Sequence, residues 1–254
     1  PDIIIVLGDR YELLAASTAA LFARIPIGHV HGGETTIGAF DEAIRHSITK
    51  MAFLHFTNAE EFRKRVIQLG EDPARVFNVG SLGVDAILKT ELLQKKELEQ
   101  KLNFKFSLRN LIVTFQPVTL EKNTSGRQFD ELLSALETVD DTHIIFTASN
   151  ADTGGRIISK KIDDFVSKHP ENSIGFSSMG KLNYLSALQY VDAVVGNSSS
   201  GLSEAPSFRI GTINIGDRQK GRIKANSVIE CEPKKESILE AIQQVYSQEF
   251  QKIR

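Results

Sequence analysis

The chain has 254 residues, 41% of them hydrophobic and 24% charged, which is enough for one large or two smaller α/β domains with buried cores. There are 30 Lys and Arg against 32 Asp and Glu, and the net charge of −2 gives no reason to expect nucleic acid or an acidic membrane surface as a partner. The single cysteine, Cys231, excludes an internal disulfide and is typical of a cytoplasmic protein, and no apolar run is long enough to span a membrane.

The first half of the chain alternates short apolar runs with segments of helical periodicity. Strands are predicted at residues 3–7, 25–30, 54–57 and 76–79, and helices at residues 12–23, 41–53 and 59–69. This alternation is typical of a parallel sheet with helices on both faces. Because the chain opens on Pro1 and enters a buried strand at once, we expect its first residues to lie inside a sheet. We expect its last residues, 250–254, to lie in or just after a helix.

A charged stretch at residues 89–103 has few strand-forming residues and predicts a helical link. After it, strands are predicted at residues 111–115, 143–146, 173–176, 193–195 and 212–215, and helices at residues 128–138, 155–167, 181–190, 201–207 and 235–246. The sequence therefore predicts two α/β domains, at residues 1–95 and 96–254. Sheets of this kind bind ligands outside the carboxyl ends of their strands.

Polar side chains are concentrated at the ends of the first predicted strands. They are Asp9 and Arg10 after the first strand, His31 and Glu34 after the second, and Asp41 and Arg45 at the start of the following helix. Asp41 and Arg45 are four residues apart and therefore share one helix face. Each acid alone could simply cap a helix or form a surface ion pair. Their joint occurrence at neighbouring strand ends favours a shared catalytic site.

A serine-rich turn follows the predicted strand at residues 193–195. Ser198 and Ser199 offer hydroxyl and backbone N–H groups to an anion, and the dipole of the following helix would favour negative charge there. The turn has neither the glycine spacing of a dinucleotide fingerprint nor a Walker lysine, and an ordinary helix cap needs only one serine. Glu204 could accept hydrogen bonds from both hydroxyls of a ribose, and Arg218 adds a cation after the next strand. The segment therefore predicts a diphosphate and ribose site.

Four longer motifs extend these patterns. They are GDRYELLA at residues 8–15, HVHGGETTIGAFDEAIRHSITKMA at 29–52, TFQPVTLE at 114–121 and GNSSSGLSEAPSFRIGTINIGDRQKGR at 196–222. In order and length they resemble the UDP-N-acetylglucosamine 2-epimerase family, in the hydrolysing branch that serves sialic-acid-type sugar synthesis. The resemblance spans nearly the whole chain. It implies a fold similar to the GT-B glycosyltransferases, with two Rossmann-like domains, of which the first is incomplete in this chain and the second holds UDP.

The resemblance assigns roles to single positions of this sequence. Asp9 matches a catalytic aspartate, and Arg10 matches its basic neighbour. Asp41 matches the acid that begins the next helix, with Arg45 after it. The residues that match the UDP site are Ser198 and Ser199 for the diphosphate, Glu204 for the ribose and Arg218 on the phosphate side.

Two positions depart from the pattern of the enzymes that act on N-acetylglucosamine. His31 stands where many members have a glutamate, and Gln116 stands where many have a histidine. His31 keeps an acid–base group but moves its ordinary pKa from about 4.3 toward 6.5, and Gln116 replaces a possible cation by a neutral donor. Glu34 could supply the missing carboxylate. The departures favour a sub-branch acting on a related sugar, such as UDP-N,N'-diacetylbacillosamine on the route to legionaminic acid.

The implied reaction eliminates UDP across C1–C2 of the sugar and then adds water with inversion at C2. Acid–base roles fall to Asp9, to Asp41 and to either His31 or Glu34, and repulsion among the carboxylates should raise the pKa of at least one. The groups expected to take the diphosphate charge are Arg10, Ser198, Ser199 and Arg218. The chemistry requires no metal or other cofactor, and His29, His31 and His46 do not have the spacing of a metal motif.

Three alternatives remain open from the sequence. A non-hydrolysing UDP-N-acetylglucosamine 2-epimerase would return an intact UDP-sugar. A GT-B glycosyltransferase would share the UDP-binding half but would need an acceptor site, and it gives no reason for the acids Asp9 and Asp41. A non-catalytic regulator would bind a UDP-sugar without turnover. The expected partners are the UDP-sugar and further copies of the chain, in a dimer or tetramer, because members of the family usually pair.

Overall fold

The structure is a computed structural model that describes residues 1–35, 41–117, 124–148 and 155–253. Residues 36–40 and 118–121, which belong to two of the sequence motifs, lie outside the described residues. Contacts divide the chain into two compact units, the first being Pro1–Asp85 with Lys220–Arg222 and the second Ala86–Gln219 with Ile223–Arg254. The predicted α/β fold with two sheets is confirmed. The predicted domains, at residues 1–95 and 96–254, are not tested by this division into contact units and remain a prediction.

The first unit contains a four-stranded sheet in which every neighbouring pair is parallel. Its strands lie side by side in chain order and are β1 (Ile4–Leu7), β2 (Ile27–Val30), β3 (Leu54–Thr57) and β4 (Val76–Asn78). The helices are α1 (Tyr11–Phe22), α2 (Asp41–Met51), α3 (Glu60–Gln68) and α4 (Leu82–Lys89), and a 3-10 turn covers Pro73–Arg75. All four carboxyl ends therefore meet at one edge of the sheet.

The core of the first unit lies between the sheet and the pair α1 and α2. Its buried members are Val6, Ala20, Ile27, Ile48 and Ala52. Burying a side chain such as Ile48, which is fully covered, contributes about 1.5–3 kcal/mol. This packing fixes the start of α2 with respect to the ends of β1 and β2.

The second unit contains a six-stranded parallel sheet in the order β10-β9-β8-β5-β6-β7. Its strands are β5 (Arg109–Thr114), β6 (Thr142–Thr147), β7 (Ser173–Phe176), β8 (Ala193–Gly196), β9 (Gly211–Ile215) and β10 (Val228–Cys231). Its helices are α5 (Lys95–Leu102), α6 (Ser125–Leu136), α7 (Gly155–Lys168), α8 (Gly180–Ala187), the single turn α9 (Ser200–Ser203), α10 (Lys235–Val245) and α11 (Gln248–Ile253). The strand order reverses between β5 and β8, which makes their carboxyl ends the expected ligand crevice of this sheet.

Both faces of the second sheet are covered by helices. Leu111 and Val113 belong to the apolar cluster on one face, and Ile112 between them belongs to the cluster on the other. Because successive strand residues point to opposite faces, a strand buried on both sides becomes a continuous apolar run. This explains why the runs of β5 and β8 were predictable from the sequence.

The helical link predicted at residues 89–103 is confirmed by α5, which is followed by Asn103 in the left-handed conformation with φ 49°. Two other local predictions differ from the structure. Residues 228–231 were not predicted as a strand but form β10 at the edge of the second sheet. The helix predicted at residues 201–207 is the single turn α9 followed by a 3-10 turn at Ala205–Phe208, because Pro206 has no N–H to continue an α-helix.

Among the described residues, no helix is long and apolar enough to cross a membrane.

Candidate active site

The end of β1 places Asp9 at the carboxyl edge of the first sheet. The Gly8 N–H donates to the Val30 carbonyl at 3.0 Å, which keeps the chain paired with β2 up to this point. The Asp9 carboxylate pairs with the Arg45 guanidinium. The alternative that Asp9 caps α1 is not supported, because the cap position is occupied by Arg10.

Arg45 joins the ends of two strands. Its side chain is only 3% exposed, and one terminal nitrogen binds Asp9 while the other donates to the Glu34 carbonyl at 2.6 Å. A buried guanidinium without partners would be costly, so these contacts compensate for its loss of water. Arg45 therefore fixes the loops that follow β1 and β2 relative to one another. The structure shows this supporting role for Arg45, and its expected role in binding substrate remains a prediction.

His31 and Glu34 form a hydrogen-bonded pair after β2. His31 Nδ1 lies 2.9 Å from Glu34 Oε1, and the Asn58 amide donates to the same oxygen at 2.8 Å. With Nδ1–H donated to the carboxylate, His31 Nε2 is the basic nitrogen of the ring, and it has no hydrogen-bond partner among the described residues. This Nε2 is buried, and an imidazole that is oriented by a carboxylate and keeps one ring nitrogen unpaired is a candidate general base.

The backbone around this pair adopts conformations that require support. His31 has φ +65°, which is uncommon for a residue with a side chain, and its N–H donates to the Phe56 carbonyl at 2.8 Å. Gly33 has φ +80°, and a Cβ there would lie 2.4 Å from the Phe62 carbonyl oxygen, so only glycine fits. The Arg65 guanidinium donates to the Gly33 carbonyl. The turn that presents His31 and Glu34 is therefore fixed by β3 and α3.

The pKa of Glu34 lies below its ordinary value. Burial alone would raise it, but the hydrogen bond from His31 and the positive charges of His31, Arg45 and Arg222 outweigh burial. The expectation that repulsion raises the pKa of at least one carboxylate does not apply to Glu34, because cations surround this group. Glu34 is therefore an ionised orienting partner for His31.

His29 lies behind this edge of the sheet and is fully buried. Its Nε2 lies 2.9 Å from the Gly8 carbonyl, and its Nδ1 lies 3.1 Å from the Thr49 hydroxyl. Burial lowers its pKa from 6.5 to about 4, so the ring is neutral at pH 7 and donates through Nε2. His29 therefore supports the turn that carries Asp9.

Asp41 and Arg10 lie at the ends of helices in the same unit. Asp41 is the first residue of α2, where the helix dipole favours an acid, and its charge is felt by both Arg10 and Arg222. The Arg10 side chain is exposed and pairs with Glu12 at 3.1 Å, which together with the charge of Glu12 raises its pKa. The structure thus brings Asp9, Glu34 and Asp41 into one electrostatic group, whereas Arg10 contacts Glu12 at the start of α1.

The sequence analysis missed three polar side chains of this group. They are Asn58 after β3, Arg65 on α3 and Arg222 from the distant segment Lys220–Arg222. Asn58 follows a predicted strand and could have been found by applying to β3 the rule used for β1 and β2. Nothing in the local sequence indicates that residues 220–222 join the first unit. Within the described ranges, no three His, Cys, Asp or Glu side chains form a group able to hold a metal ion.

In the second unit, Asn197 connects the loops at the reversal of strand order. Its side-chain oxygen accepts from the Gln116 N–H at 2.6 Å, and its amide donates to the Gln116 carbonyl at 2.8 Å. The Asn197 carbonyl in turn accepts from Arg218 at 3.0 Å and from Gln219 at 2.8 Å. These bonds gather the residues that follow β5, β8 and β9. They place Gln116, expected near the phosphates, at the predicted crevice.

Ser198 and Ser199 follow directly and are half-buried. The Ser198 hydroxyl accepts from the Ser200 N–H at 3.4 Å, and Ser199 begins the turn α9 without a side-chain cap bond. Because α9 has only 4 residues, the expected contribution of a helix dipole is small. The groups that this turn offers to a diphosphate are therefore the hydroxyls and backbone N–H groups of the serines.

Glu204 ends a chain of short hydrogen bonds. Tyr184 and Ser200 hydroxyls lie 2.5 Å apart, and the Ser200 hydroxyl donates to Glu204 at 2.5 Å. Burial raises the pKa of Tyr184 to about 12, so the phenol stays protonated. One carboxylate oxygen of Glu204 is thus fixed, which leaves the other to accept from a ligand hydroxyl. Sequence analysis had not identified Tyr184 or Ser200 as supports.

The family model for UDP-N-acetylglucosamine 2-epimerase matches residues 1–254. The chain belongs to the UDP-N-acetylglucosamine 2-epimerase family. The family predicted from the sequence motifs is therefore confirmed.

Two curated relatives give the level of similarity. The chain is 40% identical over 250 residues to the GDP/UDP-N,N'-diacetylbacillosamine 2-epimerase (hydrolyzing) of Campylobacter jejuni, covering 98% of this chain and 65% of the relative. It is 47% identical over 242 residues to the polysialic acid biosynthesis protein P7 of Escherichia coli, covering 95% of this chain and 61% of the relative. The chain thus spans less than two thirds of the length of these relatives.

Solved structures support the fold. The UDP-GlcNAc 2-epimerase of Neisseria meningitidis bound to UDP-GlcNAc superposes with a TM-score of 0.83 at 19% identity, over 99% of this chain and 70% of that one. At this identity the match shows the fold, which is the predicted GT-B-like pair of Rossmann-like sheets.

Proposed function

We propose that the protein is a hydrolysing UDP-sugar 2-epimerase, which converts a UDP-2-acetamido sugar to the free C2-epimeric sugar and UDP. The observation that supports this most is the position of Arg45, which holds the Asp9 carboxylate and the loop of the His31–Glu34 pair at one edge of the first sheet. An acid–base set fixed by a buried cation suits proton transfer at a carbon atom. It has no evident use in a protein that only binds a nucleotide.

The first step removes the proton at C2 and breaks the bond between C1 and the diphosphate oxygen. His31 Nε2 is the base that we assign to C2, because Glu34 orients the ring and this buried nitrogen has no hydrogen-bond partner among the described residues. The electron pair of the C2–H bond forms the C1=C2 double bond of a glycal, and the pair of the C1–O bond leaves with UDP. Asp9 and Asp41 remain the other proposed acid–base groups.

The second step adds water across the double bond. Hydroxyl adds to C1, and a proton adds to C2 on the face opposite to the one from which the first proton left. The balance is one UDP-sugar and one water giving one free epimeric sugar and UDP. Asp9, held by Arg45, and Asp41, at the N-terminus of α2, are the groups that we propose for activating water and delivering this proton.

The second unit is proposed to bind UDP. Ser198, Ser199 and Arg218 would contact the diphosphate, Gln116 would lie near it, and Glu204 would accept hydrogen bonds from the ribose hydroxyls. The proposal is supported by the crevice between the ends of β5 and β8, where Asn197 gathers these loops. Arg10, exposed at the start of α1, is retained as a further proposed diphosphate contact.

Two substrates fit the proposal, UDP-N-acetylglucosamine and UDP-N,N'-diacetylbacillosamine. The name of the Campylobacter jejuni relative supports the second, as does that of a Legionella pneumophila relative, UDP-N,N'-diacetylbacillosamine 2-epimerase (hydrolyzing), which is 33% identical over 244 residues. A homodimer or homotetramer and a cytoplasmic location remain proposals, the latter supported by the single cysteine. No further cofactor is part of the proposed reaction.

The test is an assay of UDP release by the full-length protein with each of the two UDP-sugars. We expect turnover of at least one, and a loss of about 100-fold or more in kcat for Asp9→Asn and Asp41→Asn, because acid–base groups contribute factors of this size. Glu61→Gln, on the exposed side of α3, is the control and should keep the parental rate. Parental turnover in either aspartate variant would remove that residue from the mechanism.

A further inference from the structure

The first unit contains a half-buried cation that the proposed reaction does not yet use. The carboxylates of Asp9, Glu34 and Asp41 carry three negative charges within one electrostatic group. Arg45 supplies one positive charge, and its guanidinium is engaged by Asp9 and by the Glu34 carbonyl. The three carboxylates carry more charge than this one guanidinium offsets, so a second cation in the group would stabilise their negative charge.

Arg222 supplies that charge from a distant part of the sequence. Residues Lys220–Arg222 belong to the first unit by their contacts, although the residues on both sides of them belong to the second. The Thr35 hydroxyl donates to the Gly221 carbonyl at 2.7 Å, so the residue after Glu34 is bonded to the residue before Arg222. This bond fixes the approach of the Arg222 side chain to the loop after β2.

The side chain itself is half-buried and surrounded by charge. It interacts electrostatically with Glu34, Arg45, Asp9 and Asp41, in that order of size. Burial lowers its pKa, and the acids oppose this effect. Its Nε is buried and has no hydrogen-bond partner among the described residues, whereas its charge interacts with the three acids.

We propose that Arg222 is a positioning residue of the active site, held next to Glu34 by the bond between Thr35 and Gly221. Its charge keeps the Glu34 carboxylate ionised and thereby keeps Glu34 able to accept the Nδ1–H of His31. The inference rests on the proposed acid–base function, but its effect on Glu34 can be measured without turnover. Within the described ranges, the other polar groups that interact with Glu34 are His31, Asn58 and Arg45. Asp9 and Asp41 interact with Arg222, and Arg65 binds the neighbouring Gly33 carbonyl.

The test uses Arg222→Met, Arg222→Gln and Arg222→Lys in the full-length protein, with Lys220→Met as the control. Lys220 is exposed in the same segment, so its replacement removes one positive charge from that segment while Arg222 stays in place. The first measurement is the pH dependence of kcat/KM for UDP release. We expect the acidic limb to move to higher pH by about one unit in the Met and Gln variants, because removing a nearby cation raises the pKa of a carboxylate. It should stay near the parental position in Arg222→Lys and Lys220→Met.

The second measurement is a 13C NMR titration of the glutamate carboxyl groups, with Glu34 assigned by its loss in Glu34→Gln. The Glu34 midpoint should rise in Arg222→Met and Arg222→Gln and return toward the parental value in Arg222→Lys. An unchanged midpoint would refute the inference even if the enzyme turns over UDP-sugars. A raised midpoint in a protein that turns over neither UDP-sugar would instead support the inference and count against the proposed function.

The third measurement separates this role from nucleotide binding. Calorimetry should give the same UDP affinity, within about twofold, for Arg222→Met and the parent. A tenfold or larger loss of UDP affinity would overturn the inference, because it would assign Arg222 to the nucleotide. Circular dichroism confirms folding of each variant, and the Gln variant serves if the Met variant does not fold.

Discussion

Single residues of this site take their properties from their neighbours more than from their own chemistry. His29 and His31 are two residues apart on and after the same strand, yet the structure gives them different tasks. His29 is buried between Gly8 and Thr49 and is neutral, so it can only support the turn before Asp9. His31 is oriented by Glu34, and its buried Nε2 has no hydrogen-bond partner among the described residues. The sequence identified both as histidines near a strand end, but only side-chain contacts distinguish them.

The buried His29 predicts a specific dependence of stability on pH. Its pKa is about 4 when folded and 6.5 when unfolded, so between these values the unfolded chain binds a proton that the folded chain does not. Stability is therefore lost as pH falls from about 6.5 toward 4. At pH 5 the loss attributable to this residue is about 2 kcal/mol.

His29→Gln keeps a donor for the Gly8 carbonyl but cannot titrate. Urea unfolding at pH 7.5 and pH 5 should show a smaller difference for this variant than for the parent, with His143→Gln as the control from the second unit. An equal pH difference in parent and His29→Gln would show that His29 is not the buried neutral group described here.

Glu204 gives a second prediction at this scale. Glu204→Gln removes the negative charge that would accept from a ribose, while Ser200 can still bond the side-chain oxygen. A hydrogen bond to a charged group is worth about 1.5–3 kcal/mol, so we expect UDP affinity to fall by tenfold or more in calorimetry. Glu240→Gln on the exposed face of α10 is the control. Parental affinity in Glu204→Gln would remove Glu204 from the nucleotide site.

Strands with continuous apolar runs were the most predictable elements. β5 and β8 contain the buried apolar runs 111–113 and 193–195, bounded by polar or turn residues, so their existence followed from the pattern. β10 was not predictable because its sequence, VIEC, alternates only once and lies at a sheet edge. The helix predicted at residues 201–207 was too long, because its helical pattern continued through Pro206, which cannot donate a backbone hydrogen bond. The loops that carry the proposed site could be predicted because they follow predicted strands. The hydrogen bonds and ion pairs between these loops could not, because they depend on tertiary structure.

The junction of β8 and α9 depends on Gly196. It has φ +138°, and a Cβ there would lie 2.1 Å from the Thr114 carbonyl oxygen of β5. Gly196→Ala should therefore destabilise the chain by about 3 kcal/mol or more and weaken UDP binding, because the turn holding Ser198 must shift.

Gly216→Ala is the matched control. Gly216 also has a positive φ, +70°, but a Cβ there meets nothing within 4 Å. Its cost should be about 1–2 kcal/mol, from backbone conformation alone. Equal unfolding free energies for the two variants would contradict the steric explanation at Gly196.

At the scale of the whole molecule, the two units divide the proposed work. The first holds the acids and the His31–Glu34 pair, and the second has the crevice proposed for UDP. The sequence motifs identified the family. They also predicted both groups of site residues, because the motifs fall at strand ends. They could not show that residues 220–222 leave the second unit to join the first, since this depends on contacts between residues about 185 positions apart, such as the 186 that separate Thr35 and Gly221. The chain spans less than two thirds of the length of the Campylobacter jejuni and Escherichia coli relatives. Activity is therefore to be measured on the full-length protein.

The central claim is elimination of UDP followed by hydration with inversion at C2. The most direct measurement is 1H and 31P NMR of the full-length protein with UDP-N,N'-diacetylbacillosamine and with UDP-N-acetylglucosamine in D2O. The account predicts UDP together with a free sugar that is inverted at C2 and carries deuterium there, because the proton added in the second step comes from solvent. An intact C2-epimeric UDP-sugar, or a free sugar that keeps its original C2 proton, would contradict it.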